Sequence, residues 1–437
     1  MNSEKILLCD GGSLLSVHTD KFKTETLTLL CPMPFSNRDF RLGAVLFSIL
    51  KRGCADYPDI ASLSRHLDDL YDANISTMGL PFGDNLLAGF SVECLDPSCV
   101  PEKEDLLRGA LETLHKMLYF PLLNSQGLFP EKTFELEKRN LCDYIRASRK
   151  DPKVRSYELC REIMFEGEPY GHRSGGGACE VMAMENREVV DFYHRFVETS
   201  APMYIYIGRR DTQSVKEMIE QIFPELGGKK AKMSKTIVKS APHKMREAEE
   251  EMPVIQGKLT MGFRSDIDIH DSDFYAAVIL NDIFGGSPSS KLFRNVREKQ
   301  SLCYSCSSNF DFIKGAIFVR SGISNENKER VVGEILAQFD EIKKGNISDF
   351  EFDCAKRSIE NFYRQGTDSA YALESYYRIR LAEGVDSTIE KDIEKFKAVT
   401  KADVIRAANR FGADTCAYIR GTLKNGDGGD YYAEDEE

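Results

Sequence analysis

The chain has 437 residues, of which 42% are hydrophobic and 29% charged, a balance that is typical of soluble globular proteins with a sizeable core. This length favours two domains of roughly 200 residues over a single domain. The formal net charge of −12 argues against a nucleic-acid-binding protein, because phosphate contacts require clustered Lys and Arg.

The predicted elements mix strands and helices. In chain order they are strands in 13–17 and 27–31, helices in 41–52 and 60–71, strands across 74–94, helices in 104–120, 131–150 and 152–166, a helix in 187–196 and a strand in 203–207. This order predicts the α+β class, with a mainly antiparallel sheet covered by helices on one face.

The same order recurs in the second half of the chain. Residues 189–208 resemble 404–421, and residues 44–47 resemble 277–280. Similarity at such a long spacing indicates two like domains rather than a short-repeat solenoid.

The predicted domains are residues 1–226 and 252–424. Residues 227–251 start with G-G-K-K-A-K, turn acidic at 247–251 and lack apolar periodicity, which indicates a surface linker between the domains. The acidic residues 425–437 are expected to form a disordered tail.

We expect neither a secretory signal nor a membrane span. The apolar run before Asp10 has only four residues, and the run from Ala44 to Leu50 is interrupted by Ser48. The 12 cysteines show no even framework and indicate reduced thiols in a cytoplasmic protein. The C-x-x-C motif at Cys303 and Cys306 has no second pair to complete a zinc ribbon, so buried thiols are the expected state.

The residues alone do not provide a complete catalytic set. No two of the seven histidines are spaced at i, i+3 or i+4, so no helix presents paired imidazoles to a metal. A G-x-S-x-G nucleophile motif is also absent.

One segment nevertheless carries a long motif. Residues 289–305 read S-S-K-L-F-R-N-V-R-E-K-Q-S-L-C-Y-S, which closely resembles the second-domain signature of the M16 (pitrilysin-like, inverzincin) metallopeptidases, S-S-x-L-F-x-x-[IV]-R-E-x-x-x-L-x-Y-S. Residues 168–171, E-P-Y-G, are similar to the H-P-Y-G of that family. The resemblance implies two homologous M16 domains of the LuxS/MPP-like fold, which together form half of a clam-shell chamber.

The chain departs from the family at the zinc site. Active members carry H-x-x-E-H on a first-domain helix and a third ligand, a Glu, on a later helix. The matching positions here are Ala44, Phe47, Ser48 and Tyr144, and Ala and Phe can neither bind zinc nor transfer protons. The resemblance therefore implies no catalytic residue, no metal and no cofactor in this chain.

The family's substrate-binding Arg and Tyr match Arg297 and Tyr304. In two-subunit members one chain holds zinc while its partner holds Arg and Tyr, and this chain resembles the second kind. It is most similar to zinc-less bacterial members of the M16B, processing-peptidase-like type, some of which are labelled as associated with elongation factor P modification. The expected partner is an active M16 zinc peptidase in a heterodimer, or a second copy in a self-dimer, and the expected substrate is a peptide or small protein.

Two other functions stay open on the sequence. One is an architectural or peptide-binding chamber protein without a proteolytic role. The other is a zinc metalloendopeptidase with substituted ligands, for which only Ser48 and Asp143 lie near the right positions.

Overall fold

The structure is a computed structural model that describes residues 2–9, 11–101, 104–171, 177–199, 202–224 and 233–423. The expected tail at 425–437 and the first part of the expected linker, 227–232, lie outside these ranges.

The strands form two sheets. Their bounds are β1 Asn2–Leu7, β2 Ser13–His18, β3 Thr24–Pro34, β4 Asn74–Phe82, β5 Asn85–Leu95, β6 Met203–Gly208, β7 Arg246–Met252, β8 Gly257–Arg264, β9 Ser305–Asp311, β10 Ala316–Ile323 and β11 Gly412–Gly421. The sheet orders are β1-β2-β6-β3-β5-β4 and β7-β11-β8-β10-β9.

The helices connect and cover these strands. Their bounds are α1 Asn37–Leu50, α2 Ile60–Asp69, α3 Leu106–Tyr119, α4 Glu131–Lys150, α5 Pro152–Met164, α6 Ala178–Met182, α7 Asn186–Thr199, α8 Thr212–Ile222, α9 Phe274–Asn281, α10 Lys328–Lys343, α11 Asp349–Gly366, α12 Ala370–Glu383, α13 Ile389–Ala398 and α14 Lys401–Arg410. Two segments, Asp282–Gly286 and Leu292–Lys299, are π-helical.

The first compact unit comprises residues 1–146, 173–235 and 364–388. Within its sheet β2 pairs with β6 in parallel, and the remaining neighbouring strands pair antiparallel. Alternate residues of β3, such as Leu27 and Leu29, join a large apolar core with residues of α1, α3 and α7. This alternation is the period of two expected of a strand that packs one face on helices.

The second compact unit comprises residues 147–172, 236–363 and 389–437. Its β7 and β11 are parallel, whereas β8 pairs antiparallel with both β11 and β10, and β10 also pairs antiparallel with β9. Phe263 of β8 packs against Phe284 and Phe339, with ring centroids 5.6 and 4.7 Å away.

Each sheet also receives one helix from the other half of the sequence, which corrects the expectation of helices on one face. Helix α5 packs on β8 and β11, with Cys160 and Met164 in an apolar cluster with Ala417 and Ile419. Helix α12 packs against β6 and β3 of the first sheet. Strand β6 is buried at every position, as a strand covered on both faces requires.

Residues 246–251 of the expected linker belong to strand β7, so the linker ends earlier than the sequence analysis expects. The strand alternates between half-buried and exposed residues and pairs with β11 at the sheet edge. Acidic side chains such as Glu247 and Glu251 lie on its exposed side. Charged residues are common on edge strands, where they oppose pairing with other chains. The boundaries 1–226 and 252–424 of the two homologous domains stay a prediction.

The expected α+β class with two mainly antiparallel sheets agrees with this architecture. None of the helices that the structure describes is long and apolar enough to cross a membrane.

Candidate substrate-binding site and degenerate metal positions

Phe47, which the sequence resemblance aligns with the family's general base, lies in the core. Ser36 caps α1 by accepting a hydrogen bond from the Asp39 N–H at 3.0 Å. The buried Phe47 ring makes edge contacts with Phe90 and Phe196, with centroids 5.3 and 5.2 Å away. An apolar ring thus replaces the carboxylate that would have to face a substrate.

Ala44 and Ser48, which the resemblance aligns with the two family histidines, are half-buried on the same helix. The Ser48 hydroxyl donates to the Ala44 carbonyl oxygen at 2.9 Å. This bond to residue i−4 is a common way for Ser to satisfy its hydroxyl inside a helix. Ala44 offers no side-chain donor atom to a metal.

Tyr144, which the resemblance aligns with the third zinc ligand, lies on α4, and 72% of its surface is exposed. The neighbouring Asp143 carboxylate forms an ion pair with Arg146 at 3.2 Å. Helix α4 is joined to the end of α1 by an ion pair between Arg52 and the buried Glu137. Glu137 is not among the residues predicted from the sequence, where its signal is an acidic residue on the apolar face of an amphipathic helix.

These residues do not fit a zinc ion. Structural and catalytic zinc sites need three or four converging His, Cys, Asp or Glu side chains. Across residues 2–9, 11–101, 104–171, 177–199, 202–224 and 233–423, no group of three or more such side chains could hold a metal ion.

Arg297 lies on the π-helical segment Leu292–Lys299. Leu292 and Val296 are buried and fix this segment, while Arg297 is exposed. The Arg297 guanidinium lies over the Phe293 ring, 4.6 Å from its centroid. A π-helical turn changes the direction of side chains and occurs often at functional sites.

Tyr304 follows on the same stretch of chain, after a turn. Ser301 has a φ of +49°, and the Leu302 N–H then donates to the Val296 carbonyl at 3.1 Å. The Tyr304 N–H donates to Gly322 O at 3.1 Å, so its backbone is held beside β10. Its side chain is 76% exposed.

The structure thus puts Arg297 and Tyr304 at the surface of the same unit, on a segment anchored by buried residues. Guanidinium and phenol are both hydrogen-bond donors. The two side chains can therefore donate hydrogen bonds to a carbonyl oxygen or to an oxyanion.

Two thiols lie in the same stretch. Cys303 and Cys306 are both buried, and a side-chain hydrogen bond between them is the main cause of the pKa shift of each. This bond, together with Ser321 and the charge of Arg297, outweighs burial and lowers the pKa of Cys303 to about 7. The pKa of Cys306 is raised well above its ordinary value, chiefly by the same bond to Cys303 and by burial.

Glu168 begins the E-P-Y-G motif and has a structural role in the second unit. Its buried carboxylate accepts hydrogen bonds from Lys314 Nζ at 2.8 Å and Arg264 Nη2 at 2.5 Å. The hydroxyl of Tyr170 donates to the Asp311 carboxylate. The motif therefore fastens the chain after α5 to the second sheet.

The comparisons with known proteins point to one family. Residues 184–359 match the family described as the Peptidase M16 inactive domain. The "Probable inactive metalloprotease YmfF" of Bacillus subtilis (strain 168) is 29% identical over 410 residues, which cover 93% of this chain and 95% of the relative.

Solved structures share the fold. A conserved protein from Enterococcus faecalis V583 has a TM-score of 0.88 at 24% identity, covering 96% of this chain and 99% of that chain. A peptidase M16 inactive domain from Pseudomonas fluorescens has a TM-score of 0.78 at 18% identity, covering 97% and 99%. These structures confirm the two-domain α+β fold, and the family match together with the Bacillus relative confirms the M16 resemblance. Residues 184–359 thus resemble the Peptidase M16 inactive domain, and the chain as a whole is similar to a probable inactive metalloprotease.

Proposed function

We propose that this protein is the non-catalytic subunit of a two-subunit peptidase, in which it binds the peptide substrate through Arg297 and Tyr304. The observation that carries the proposal is the contrast between the two sets of family positions. Phe47 is packed into the core, whereas Arg297 and Tyr304 are exposed donors on a firmly held segment.

The exposure of Tyr304 supports a binding role. A tyrosine kept for packing buries most of its ring, while one that is 76% exposed leaves a large apolar surface in water. Tyr and Arg are also the residues most enriched among those that dominate binding energy at interfaces. The Phe293 ring beneath the Arg297 guanidinium reduces the freedom that this long side chain would lose on binding.

The two side chains have a defined task in the proposed reaction. The guanidinium and the phenol donate hydrogen bonds to a peptide carbonyl, and these bonds strengthen as negative charge develops on its oxygen. The zinc ion and the general base belong to the active M16 partner in this proposal. A heterodimer with that partner is preferred to a self-dimer, because two copies of this chain would lack donors for zinc among the described residues.

The proposal places the pair in the cytoplasm, where thiols stay reduced. All 12 cysteines are free thiols in the structure. Some of the zinc-less members that this chain resembles are labelled as associated with elongation factor P modification, and we propose elongation factor P only as one substrate to test.

The substituted-ligand peptidase has little support in the geometry. The Ser48 hydroxyl is bonded to Ala44 O, and Asp143 is paired with Arg146. The architectural alternative is separated from our proposal by the experiment below.

The test is a peptidase assay with an active M16 peptidase encoded beside this chain, measured with and without the full chain. We expect this chain alone to be inert and the mixture to cleave peptides faster than the partner alone. Arg297→Ala and Tyr304→Phe are each expected to lower kcat/KM of the mixture roughly 100-fold, the usual cost of losing one oxyanion donor.

Two matched variants control for the loss of an exposed charge and for the loss of an exposed phenol hydroxyl. Arg294→Ala removes an exposed guanidinium from the same π-helical segment, and Tyr371→Phe removes a phenol that is 74% exposed on α12. Both are expected to keep the stimulation. If stimulation survives Arg297→Ala and Tyr304→Phe, the architectural function is correct and our proposal is wrong.

A further inference from the structure

A cleft in the first unit is not used by the proposed function. It has a volume of about 680 Å³ and is lined by residues of β3, β4 and β5 and by the start of α12, all of which belong to this unit. A volume of this size is usual for a site that binds a small molecule. Arg297 and Tyr304 do not line the cleft.

The floor of the cleft is a polar strip of the sheet. Thr26 of β3 lies opposite Glu93 of β5. Two residues earlier on β5, Ser91 lies opposite Ser76 of β4. Residues that are opposite each other, or two apart on one strand, share one face of a sheet, so these four side chains lie together. Val92, between them on β5, points to the other face and joins the apolar core.

The charges at the cleft are negative. Glu93, Asp368 and Glu374 line it, and no Lys, Arg or His is among the described residues that do so. Asp368 is paired with Lys21 at 2.9 Å, whereas the exposed Glu93 forms no ion pair with another described side chain. A cleft lined by charge of one sign concentrates ligands of the opposite sign, so this cleft favours a cation.

Glu374 is a buried carboxylate with few hydrogen-bond donors. It is 3% exposed, and its two oxygens share one donor, Arg378 Nη1, at 3.4 and 3.1 Å. Within the described part of the chain no other donor reaches it. A carboxylate accepts up to about four hydrogen bonds, and leaving a buried one under-satisfied costs free energy. A ligand with N–H groups would supply the donors that the chain does not.

The N-terminus of α12 does not make the cleft an anion site. Ser369 caps this helix by accepting a hydrogen bond from the Ala372 N–H at 3.3 Å, and the Asp368 carboxylate stands directly before it. Both groups offset the partial positive charge at the start of the helix. Met78 also lines the cleft and offers an apolar surface to the aliphatic part of a ligand.

We infer that this cleft binds an organic cation with an aliphatic stem, namely a primary alkylamine. Its ammonium N–H groups donate to the Glu93 and Glu374 carboxylates and to the Thr26 hydroxyl, and its methylene groups lie against Met78. Charge-assisted hydrogen bonds of this kind are among the strong ones. A free polyamine and the lysine side chain of a peptide share this chemistry. The inference is independent of the proposed function, because it uses neither Arg297 nor Tyr304.

The experiment is a calorimetric titration of the full chain with 1,4-diaminobutane and, as the neutral counterpart, with 1,4-butanediol. We expect saturable binding of the diamine and none of the diol. Glu93→Gln is expected to weaken binding of the diamine about tenfold, because it removes one charged acceptor. Ser76→Arg places a guanidinium group in the cleft and is expected to abolish binding.

Glu112→Gln is the matched control, because it removes an exposed carboxylate of α3 that does not line the cleft. It should leave the affinity unchanged. The melting temperature of each variant without ligand reports whether it is folded, and Glu93 is exposed, so its replacement tests the inference even where Ser76→Arg does not fold.

A titration with N-acetyl-lysine methylamide distinguishes the two sources of the amine. Tighter binding of the diamine supports the inference with a free polyamine as the ligand, and tighter binding of the lysine derivative supports it with a peptide side chain. The inference is overturned if neither amine binds saturably, if the diol binds as well as the diamine, or if Glu93→Gln leaves the affinity unchanged.

Discussion

Glu168 shows at the scale of a single residue how the second unit accommodates buried charge. Burial by itself would raise the pKa of this carboxyl, but the hydrogen bonds from Lys314 and Arg264 outweigh it and leave the pKa below its ordinary value. Lys314 is fully buried and also donates to Ile237 O at 2.6 Å. Loss of the carboxylate would leave two buried cations without their shared counter-charge.

We predict that Glu168→Gln lowers the free energy of unfolding by about 3–5 kcal/mol at pH 7. Because the folded pKa is lowered, the ionised carboxylate stabilises the protein above its unfolded pKa, and this contribution is lost as the pH falls through the folded pKa. The difference between wild type and variant should therefore shrink below roughly pH 4. Urea unfolding at pH 7 and at acidic pH measures both values.

Glu341→Gln is the control, because the pKa of Glu341 is also lowered, by Asn346 and Lys344, but at the surface. It should change the stability little at either pH. An equal loss for Glu168→Gln at both pH values would show that its charge is not the source of the effect.

At the scale of elements, the second sheet depends on the close approach of α5. A Cβ added to Gly262 of β8 would lie 2.5 Å from the Met164 sulfur and 3.3 Å from the Cys160 sulfur. Both partners are buried on α5. Glycine at this position lets the helix and the strand pack without a gap.

We predict that Gly262→Ala destabilises the protein by about 1–3 kcal/mol, because the extra methyl group displaces Met164 in a filled core. Gly262→Ala combined with Met164→Ala should cost less than the sum of the two single changes, because the shorter side chain leaves room for the methyl. Thermal or urea unfolding of the four proteins gives this coupling. Gly333→Ala on α10 is the control, because nothing lies near the added Cβ, and it should stabilise the protein by roughly 0.5–1 kcal/mol. If the losses of stability from Gly262→Ala and Met164→Ala simply add in the double variant, the packing argument is wrong.

At the scale of the whole molecule, each compact unit has its own sheet and core and draws one helix from the other half of the sequence. We therefore expect the stability of the chain to come from apolar burial and internal ion pairs rather than from a metal. The described residues contain no group able to hold one.

We predict that a strong chelator leaves the melting temperature of the full chain unchanged and that the purified chain contains no stoichiometric zinc. Metal bound to the folded state alone would raise the melting temperature, and its removal would lower it. Calorimetry with and without chelator, together with metal analysis, measures both. A zinc-dependent M16 peptidase treated in the same way should lose stability, and a comparable loss for this chain would overturn our assignment of the degenerate positions.

Much of the local structure follows from the sequence. The pattern at 131–150 predicts a helix, and α4 has these bounds, because amphipathic spacing and the breaker Asp151-Pro152 are local signals. Strand β7 was missed, because its charged residues give no apolar alternation and its pairing with β11 is not local. The π-helical turn that carries Arg297 also has no signal in its composition.

The sequence by itself determined the M16 resemblance and the two-domain α+β class, and it predicted the loss of the zinc ligands, because these depend on which residue types stand at which positions. Only the tertiary structure showed that Phe47 is core and that Glu168 holds two buried cations. It also showed that α5 covers the second sheet and that α12 packs against the first. These properties depend on contacts between distant parts of the chain, which packing and burial decide once the chain has folded.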